Sequence, residues 1–385
     1  MVGGGIIGAA CAFELSRAGA SVTLIEKEEL AFGASGRNQG LWLLPDDPAC
    51  AEMARRSRDA YLAIASETPL PVALDREPRG VVLVATRSDD LTAEDPLGVT
   101  NARSGGVAVD PLDADALHEL EPGLAPDLPG GWLLHDGHRL DPAALTVGLA
   151  LLAQASGATI RHHLSVRALA NDGNRVTGVV TDEGSLGADE VVVAAGPWSP
   201  TLLEPLGVRL AITGARGWLT RVRPPEPVAT RLIEAAGWRG SAERWSALQR
   251  PTAGQVADGG LGTAELAPLL HPADDGTVLI GSSRQAWTTP EPEDPSVVQR
   301  LLAAAVRLVP GLSESEVLGS RWGLRPLSPD DRPFVGRVRQ GLVVATGHGS
   351  EGIILGAGTA ELVAAAVTGA PPPFDPSPFD PARAI

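Results

Sequence analysis

Short apolar runs alternate along the chain with longer segments in which apolar positions recur every three to four residues, and this alternation predicts a mixed α/β protein. The chain opens with a glycine-rich loop, a helix over 6–17 and a strand over 22–25. Later helices are predicted over 48–66, 112–120, 142–157, 294–309 and 355–369. Strands are predicted over 80–84, 131–134, 158–166, 175–181, 190–195 and 342–345, with further short strands in 216–290. The proline-rich end, 371–385, is predicted to be extended.

Length and composition narrow the class of protein. A chain of 385 residues exceeds the roughly 250–300 residues that one hydrophobic core supports, which predicts two closely joined domains. The net charge of −16 disfavours nucleic acid as a partner, because an acidic surface repels phosphate backbones. The two cysteines, Cys11 and Cys50, form no disulfide framework and fit a reducing compartment. Without a recognisable signal peptide or membrane span, we expect a cytoplasmic protein, with homo-oligomer and partner subunit left open.

The first glycines form a dinucleotide-binding pattern. Gly3, Gly5 and Gly8 fit G-x-G-x-x-G, in which the glycines permit a tight turn, admit a pyrophosphate and let a helix pack on the sheet. The following helix offers free N–H groups to phosphate. Glu26 ends the next strand, where an acidic residue binds a ribose hydroxyl. The alternative is a glycine-rich turn that binds no nucleotide, but loop, helix, strand and acid together favour the dinucleotide.

Only Met1 and Val2 precede Gly3, although the first strand of this fold belongs there, at the centre of the sheet. A strand needs about five residues. We therefore expect the natural chain to begin upstream of Met1, or the present one to be shortened, which sequencing of the native N-terminus tests.

Motifs further along the chain point to a family. They are 33–40 (GASGRNQG), 191–199 (VVVAAGPWS), 321–326 (RWGLRP), 329–333 (PDDRP) and 347–353 (GHGSEGI). In this order and spacing they resemble the D-amino acid oxidase (DAO) superfamily of FAD-dependent amine and amino-acid oxidoreductases, which includes glycine oxidases, sarcosine oxidases and D-amino acid dehydrogenases. The resemblance covers nearly the whole chain and is thinnest over 46–135 and 218–290.

The resemblance implies an α/β protein in which a Rossmann-like FAD-binding domain is interleaved with an antiparallel-sheet substrate domain of the α+β type. The FAD-binding domain is expected to be discontinuous, over 1–45, 136–217 and 318–385. The substrate-binding domain is expected over 46–135 and 218–317.

The resemblance also implies which residues bind FAD. The early glycines and Glu26 would hold the ADP half, residues 34–41 the pyrophosphate and flavin, and the 347–353 turn the flavin N1–C2=O edge. The expected cofactor-binding residues are Gly3, Gly5, Ile6, Ile7, Gly8, Glu26, Lys27, Ala34, Ser35, Arg37, Asn38, Gln39, Gly40, Leu41, Val166, Ala195, Gly196, Trp198, Arg325, Gly347, His348, Gly349, Gly352 and Ile353.

Two residues are expected at the reaction centre. The planar guanidinium of Arg325 would bind the substrate carboxylate, and the alternative is a structural arginine paired with Asp or Glu. His348 would contact flavin or substrate, and the alternative is a turn residue that touches only backbone. Packing is the favoured role of five residues in pocket-facing segments, Trp42, Arg216, Trp218, Arg284 and Trp287. No metal site is expected, because five other histidines lack ligand spacing and are predicted at the surface, His135, His138, His162, His163 and His271.

Departures from the family pattern bear on the chemistry. No Cys or His stands where members with covalent flavin carry one, so FAD is expected to be non-covalent. No lysine stands on the strand around 278–281 to activate oxygen, which puts fast reaction with oxygen in doubt. The expected reaction is hydride transfer from the carbon of a neutral amine to FAD, giving an imine that water hydrolyses, with no general base. The electrons then pass to oxygen or to another acceptor.

Three other functions stay open at this point. The first is an FAD-dependent 2-hydroxy acid dehydrogenase of the same fold, whose flavin is bleached by hydroxy acids and not by amines. The second is an NAD-dependent dehydrogenase, which the glycine-rich turn over 347–352 argues against. The third is a non-catalytic flavoprotein subunit that passes electrons to a partner.

Overall fold

The structure is a computed structural model that describes residues 1–45, 47–68, 74–91, 99–235, 265–286 and 295–383. The helices of this part of the chain are α1 Ile6–Arg17, α2 Ala51–Glu67, α3 Val99–Ser104, α4 Ala114–Leu120, α5 Pro142–Ala155, α6 Ser199–Leu203, α7 Pro295–Leu308 and α8 Gly352–Thr368. The strands are β1 Thr23–Ile25, β2 Leu41–Trp42, β3 Val81–Ala85, β4 Val109–Asp113, β5 Gly130–Leu134, β6 His138–Arg139, β7 Thr159–Arg161, β8 Val166–Asn171, β9 Val176–Thr181, β10 Gly184–Gly187, β11 Val191–Val193, β12 Thr213–Arg223, β13 Leu232–Ala235, β14 Glu265–Pro272, β15 Val278–Ala286, β16 Glu316–Leu327, β17 Phe334–Arg339 and β18 Leu342–Thr346.

The first three residues join two groups of strands into one sheet. Strand β1 pairs with β7, and β11 pairs with β18, which pairs with β17. Val2 lies between them and forms parallel bridges to both Ile25 and Val193. Its N–H donates to Val192 O and its carbonyl accepts from Ala194 N, each at 2.9 Å. The short stretch before Gly3 therefore occupies the central position that the fold assigns to its first strand.

Helices cover this sheet with a tightly packed apolar layer. Helix α1 packs against α5 and α8, and α2 packs against α8. The buried side chains of this layer include Ile6, Leu145 and Leu355. Tyr61 of α2 is fully buried, and its hydroxyl donates to Ile353 O at 3.1 Å. This hydrogen bond attaches α2 to α8, the helix that follows the glycine-rich turn.

A second, larger sheet forms the other side of the molecule. Its order is β16-β12-β15-β14-β13-β3-β5-β4, and neighbouring strands are antiparallel except for β13 and β3. Helix α7 covers one face with Val297, Leu301 and Leu308, which are buried. A third, three-stranded sheet, β10-β9-β8, is antiparallel. The predicted α/β class with an interleaved antiparallel sheet is confirmed, and β12 and β16 run across the chain positions where the domains were predicted to meet.

Local predictions hold best where the signal lies within a few residues. Helix α1 spans the predicted 6–17. Helix α4 begins at Ala114, because Asp113 caps it by accepting from Ala116 N at 2.9 Å, and the residues before it form β4. The predicted strand over 158–166 was wrong in its middle: β7 ends at Arg161, and His163 has a φ of +52°.

The C-terminal tail is more than the extended segment predicted for it. Residues 377–379 form a 3-10 turn, and the ring of Phe379 is fully buried in the helical layer. Arg383 donates to Asp330 through Nε at 2.8 Å and stacks over the Phe334 ring at 4.1 Å. The end of the chain is therefore part of the packed structure.

Replacing the buried ring of the tail should destabilise the protein. Phe379→Ala leaves a cavity in the core and should lower the free energy of unfolding by about 3–5 kcal/mol. Phe374→Ala, at a half-buried ring of the same tail, is the matched control and should cost less than about 2 kcal/mol. Urea unfolding measures both values, and equal, small effects would contradict a packed tail.

Candidate cofactor-binding and active site

A cavity of ≈ 330 Å³ lies between the Val2-centred sheet, the 33–38 segment and the β12–β16 end of the large sheet. Nineteen of the twenty-four predicted cofactor residues line it: Gly3, Gly5, Ile6, Ile7, Glu26, Lys27, Ala34, Ser35, Arg37, Asn38, Val166, Ala195, Gly196, Trp198, Arg325, His348, Gly349, Gly352 and Ile353. Motifs more than 300 residues apart in the sequence thus meet around one space.

The glycine loop brings the start of α1 to the cavity. Gly3 has a φ of +106°, and a Cβ on Gly8 would lie 1.9 Å from Gly3 O, so only glycine lets the helix approach the loop. Helix α1 begins at Ile6, whose N–H donates to Ser35 Oγ at 2.9 Å. The N-terminus of the helix, the positive end of its dipole, therefore lies at the cavity, and Ser35 Oγ accepts its first N–H there.

Glu26 and its neighbours form the far end of the cavity. The Glu26 carboxylate accepts from Gly4 N at 2.6 Å through Oε2 and from Glu28 N at 2.9 Å through Oε1. The Lys27 ammonium lies 4.3 Å from the centroid of the Trp198 ring, which is 36% exposed. This cation–π contact places an indole beside the acidic residue that ends β1.

The 33–38 segment forms one wall and is held by its own polar groups. The Asn38 amide donates to Ala34 O and Ser35 O at 3.0 and 2.9 Å. Arg37 stacks over the Phe32 ring at 4.2 Å, and its Nη1 donates to Trp322 O at 3.2 Å. The wall is therefore attached to β16, the edge strand of the large sheet.

Five predicted cofactor residues do not line the cavity: Gly8, Gln39, Gly40, Leu41 and Gly347. Gly8 packs against the backbone of Gly3. Gly347 has a φ of +81°, a backbone conformation that favours glycine. Gly40, at φ +71°, packs so closely that a Cβ would lie 1.9 Å from Leu140 O. Leu41 pairs with β6, and the Gln39 amide turns to β14, where it donates to Leu269 O at 2.5 Å. These five residues therefore lie behind the residues that line the cavity and hold the wall in shape.

His348 is part of the wall and also braces α8. Its ring is 2% exposed, and Nε2 lies 3.0 Å from Thr359 Oγ1. Burial lowers the pKa of His348 to about 3, so the ring is neutral near pH 7. Its partner is a side chain, which differs from the predicted alternative of a turn residue that touches only backbone.

Arg325 is a half-buried cation that pairs with no carboxylate among the described residues. Its Nη1 donates to Ser283 O at 3.1 Å. Burial lowers the pKa of Arg325 to about 10. A Cβ on Gly217 would lie 2.0 Å from Nη1, so the guanidinium lies directly on β12. The alternative of a structural arginine paired with Asp or Glu therefore fails for the described residues.

Some residues that face this region were predicted as packing or surface. Trp42, Arg216 and Trp218 are buried, as expected for packing. Arg284 is buried too, but its Nη2 reaches Ser350 Oγ of the glycine-rich turn at 3.3 Å. Trp287 lies outside the described residues.

The prediction of surface histidines was wrong for two of the five. His138 is 3% exposed, and its Nδ1 bonds to Asp75 O at 2.8 Å. His271 is half-buried, and its Nδ1 bonds to Gln39 O at 2.5 Å. No local signal distinguishes these two from His135, because both partners belong to distant segments.

Three comparisons place the chain among known proteins. The family model described as DAO, FAD dependent oxidoreductase, matches residues 1–366. A glycine oxidase of Pseudomonas aeruginosa is 28% identical over 389 residues, covering 99% of this chain and 98% of the relative. A D-amino acid dehydrogenase of Cereibacter sphaeroides is 28% identical and covers 97% and 92%. The crystal structure of glycine oxidase from Geobacillus kaustophilus superposes with a TM-score of 0.84 at 28% identity, covering 100% and 98%.

Two features are absent from the described residues. No helix there is long and apolar enough to cross a membrane. No group of three or more His, Cys, Asp or Glu side chains there has the geometry of a metal site.

Removing the acidic side chain at the end of β1 should weaken FAD binding. Glu26→Ala takes away a charged acceptor that is expected to hold ribose, which should cost about 1.5–3 kcal/mol, or about 10- to 150-fold in affinity. Titration of the apoprotein with FAD, followed by flavin fluorescence, measures the change. Glu29→Ala, at an exposed acid of the same loop, should bind like the unaltered protein. Equal affinity in Glu26→Ala would contradict the assignment.

Burial of His348 should make stability depend on pH. The folded protein keeps the ring neutral down to a pKa of about 3, whereas the unfolded chain takes up a proton near pH 6.5. The free energy of unfolding should therefore fall as pH decreases from about 6.5 to 4, because the unfolded state binds more protons in that window.

The variant His348→Asn should reduce this slope by up to about 1.4 kcal/mol per pH unit, the value for one proton. Urea unfolding at a series of pH values measures it. Ser350→Ala, in the same turn, should leave the slope unchanged. An identical slope in His348→Asn would show that another group is responsible.

Proposed function

This chain belongs to the DAO family of FAD-dependent oxidoreductases, and on that premise we propose that it binds a small amino acid or related amine by its carboxylate at Arg325 and oxidises its C–N bond. The observation that carries the proposal is the Arg325 guanidinium, which is half-buried, borders the cavity and has no carboxylate partner among the described residues. A partly desolvated charge of this kind is stabilised by an opposite charge, so a ligand carboxylate is its natural complement.

The cavity residues fit FAD. A pyrophosphate would fit at the N-terminus of α1 and the glycine loop. Side chains in place of the glycines would prevent this close approach to the loop backbone. The Glu26 carboxylate would accept a hydrogen bond from a ribose hydroxyl. The adenine would lie at the end of the cavity formed by Lys27 and Trp198. We propose that the segments 1–45, 136–217 and 318–385 supply these contacts, and that the remaining segments cover the substrate.

The cofactor is proposed to be held without a covalent bond. No cysteine lines the described cavity, and both thiols, Cys11 and Cys50, are buried elsewhere with pKa values raised by burial. The one histidine of the described wall, His348, has its ring bonded to Thr359. Free, buried thiols also support a cytoplasmic location as a proposal, since neither is used in a disulfide.

Bound FAD supplies an acceptor for the hydride of the substrate carbon, and the protein supplies position. Arg325 holds the carboxylate with two parallel donors, which limits how the rest of a small substrate can lie. Gly217 and Gly323 leave the sheet surface beside it free of side chains. The product is an imine, which water hydrolyses to an oxo acid or aldehyde and ammonia or an amine.

The described wall offers no group to remove a proton from the substrate amine. Its one carboxylate, Glu26, is bonded to Gly4 N at the far end. Burial lowers the pKa of His348 to about 3, so its neutral ring is a weak base, and the ring is bonded to Thr359. The amine is therefore expected to react in its neutral form after losing its proton to solvent, so reduction of the flavin should become faster as pH rises.

An anaerobic titration followed by the flavin spectrum tests the function. Glycine, sarcosine, D- and L-amino acids and 2-hydroxy acids are added in turn. Bleaching by one amine class supports the proposal, while bleaching only by hydroxy acids favours the alternative dehydrogenase, since Arg325 would bind their carboxylate equally. Bound flavin that none of them bleaches would contradict the proposal.

Substitution of Arg325 should separate binding from folding. Arg325→Gln should lower kcat/KM for carboxylate substrates by about 30- to 1000-fold, or about 2–4 kcal/mol. It should change the free energy of unfolding by no more than about 1.5 kcal/mol, because the half-buried guanidinium makes one described hydrogen bond, to Ser283 O. Arg321→Gln, at an exposed arginine of the same strand, should retain activity. A destabilised Arg325→Gln with unaltered kinetics would instead show a structural arginine.

A further inference from the structure

One residue behind the cavity wall is held by β14 at two points. The Gln39 side chain donates from Nε2 to Leu269 O at 2.5 Å. The backbone carbonyl oxygen of Gln39 lies 2.5 Å from His271 Nδ1. Nδ1 must carry the proton of this hydrogen bond, because a carbonyl only accepts. Leu269 and His271 are alternate residues of one strand. We call this arrangement the Gln39–His271 clamp.

The large sheet is shaped to receive the Gln39 amide. Leu269 pairs in register with Gly281 on β15. A Cβ at Gly281 would lie 2.9 Å from both Cδ and Nε2 of Gln39, so a side chain there would displace the amide. Gln39 is 9% exposed, and hydrogen bonds lost at this depth leave polar groups without water to replace them.

The state of His271 suits a fixed donor. The pKa of His271 is lowered, mainly by burial. The charges of Arg139 and Arg221 also lower it, whereas the hydrogen bond to Gln39 O and the charge of Asp75 raise it. The ring is therefore neutral near pH 7, with one N–H, and the clamp directs that N–H at Gln39 O.

The clamp lies between two parts of the proposed active site. Gln39 directly follows Arg37 and Asn38, which line the cavity. Strand β14 pairs with β15, whose Ser283 carbonyl holds Arg325. A shift of Gln39 relative to β14 would thus move the cofactor wall relative to the carboxylate anchor.

We propose that Gln39 and His271 are positioning residues that set the distance between the ring of bound FAD and a substrate held at Arg325. This inference rests on the proposed function. Neither residue lines the described cavity, so we assign both a positioning role from behind its wall. Displacement of reacting groups by about 1 Å can cost about 100-fold in rate, which is why a second-layer hydrogen bond affects the reaction.

Two variants of His271 separate the hydrogen bond from the volume of the ring. His271→Leu removes the donor, whereas His271→Asn keeps an N–H near the position of Nδ1. Anaerobic stopped-flow reduction gives the hydride-transfer rate and the substrate Kd, and titration of the apoprotein gives the FAD Kd.

His271→Leu should lower the hydride-transfer rate by about tenfold or more and raise the FAD Kd by about three- to tenfold, with substrate Kd within about twofold. His271→Asn should recover both properties to within about threefold of the unaltered protein. Arg325→Gln provides a contrasting pattern, in which the main change is in the substrate Kd.

The inference is overturned if His271→Leu keeps both its rate and its FAD affinity, or if His271→Asn is as impaired as His271→Leu. Should His271→Leu fail to fold, Gln39→Met removes the bond to Leu269 O at similar volume and carries the same expectations. If no amino acid reduces the unaltered protein, the proposed function fails, while the FAD affinities of the variants still test the clamp by themselves.

Discussion

Backbone approaches backbone around the cavity at places where no side chain fits, and this steric constraint shapes the site. A Cβ on Gly8 would meet Gly3 O, one on Gly40 would meet Leu140 O, and one on Gly217 would meet the Arg325 guanidinium. The first contact seats α1 on the sheet, and the second fixes the end of the 33–41 segment. The third lets a long charged side chain lie flat on a strand. At each of these places a glycine lets the segments around the cavity come this close together.

The same site holds a charge that the described fold does not neutralise. Half-burying the Arg325 guanidinium with one described carbonyl as its hydrogen-bond partner is a cost to folding. Such a residue makes sense as part of a binding site, where stability is exchanged for affinity. Gly217 lies beside the guanidinium, and no Asp or Glu among the described residues pairs with it, so an incoming carboxylate would not have to displace one of them.

Polar contacts behind the walls tie neighbouring segments to the large sheet. Arg139 of β6 donates to Asp75 Oδ2 at 2.8 Å and to Pro272 O at 2.7 Å, beside His271. Arg37 reaches Trp322 O from the cofactor side. These bonds join segments 64 to 285 residues apart, and each is partly or fully shielded from water. The wall over 33–38 is therefore tied to β16, the strand that carries Arg325.

The sequence by itself determined what depends on neighbouring residues. Helix α1, the glycine loop and the acid at the end of β1 are local patterns of backbone geometry, and together with the later motifs they were sufficient for the fold class and for FAD. The tertiary structure decided what depends on distant partners. Phe379 is buried because the tail folds back on the helices, and His271 turns inward because Gln39 lies opposite. Whether an acid pairs with Arg325 is likewise invisible in its local sequence, since burial and hydrogen bonding are properties of segments that only the folded chain brings together.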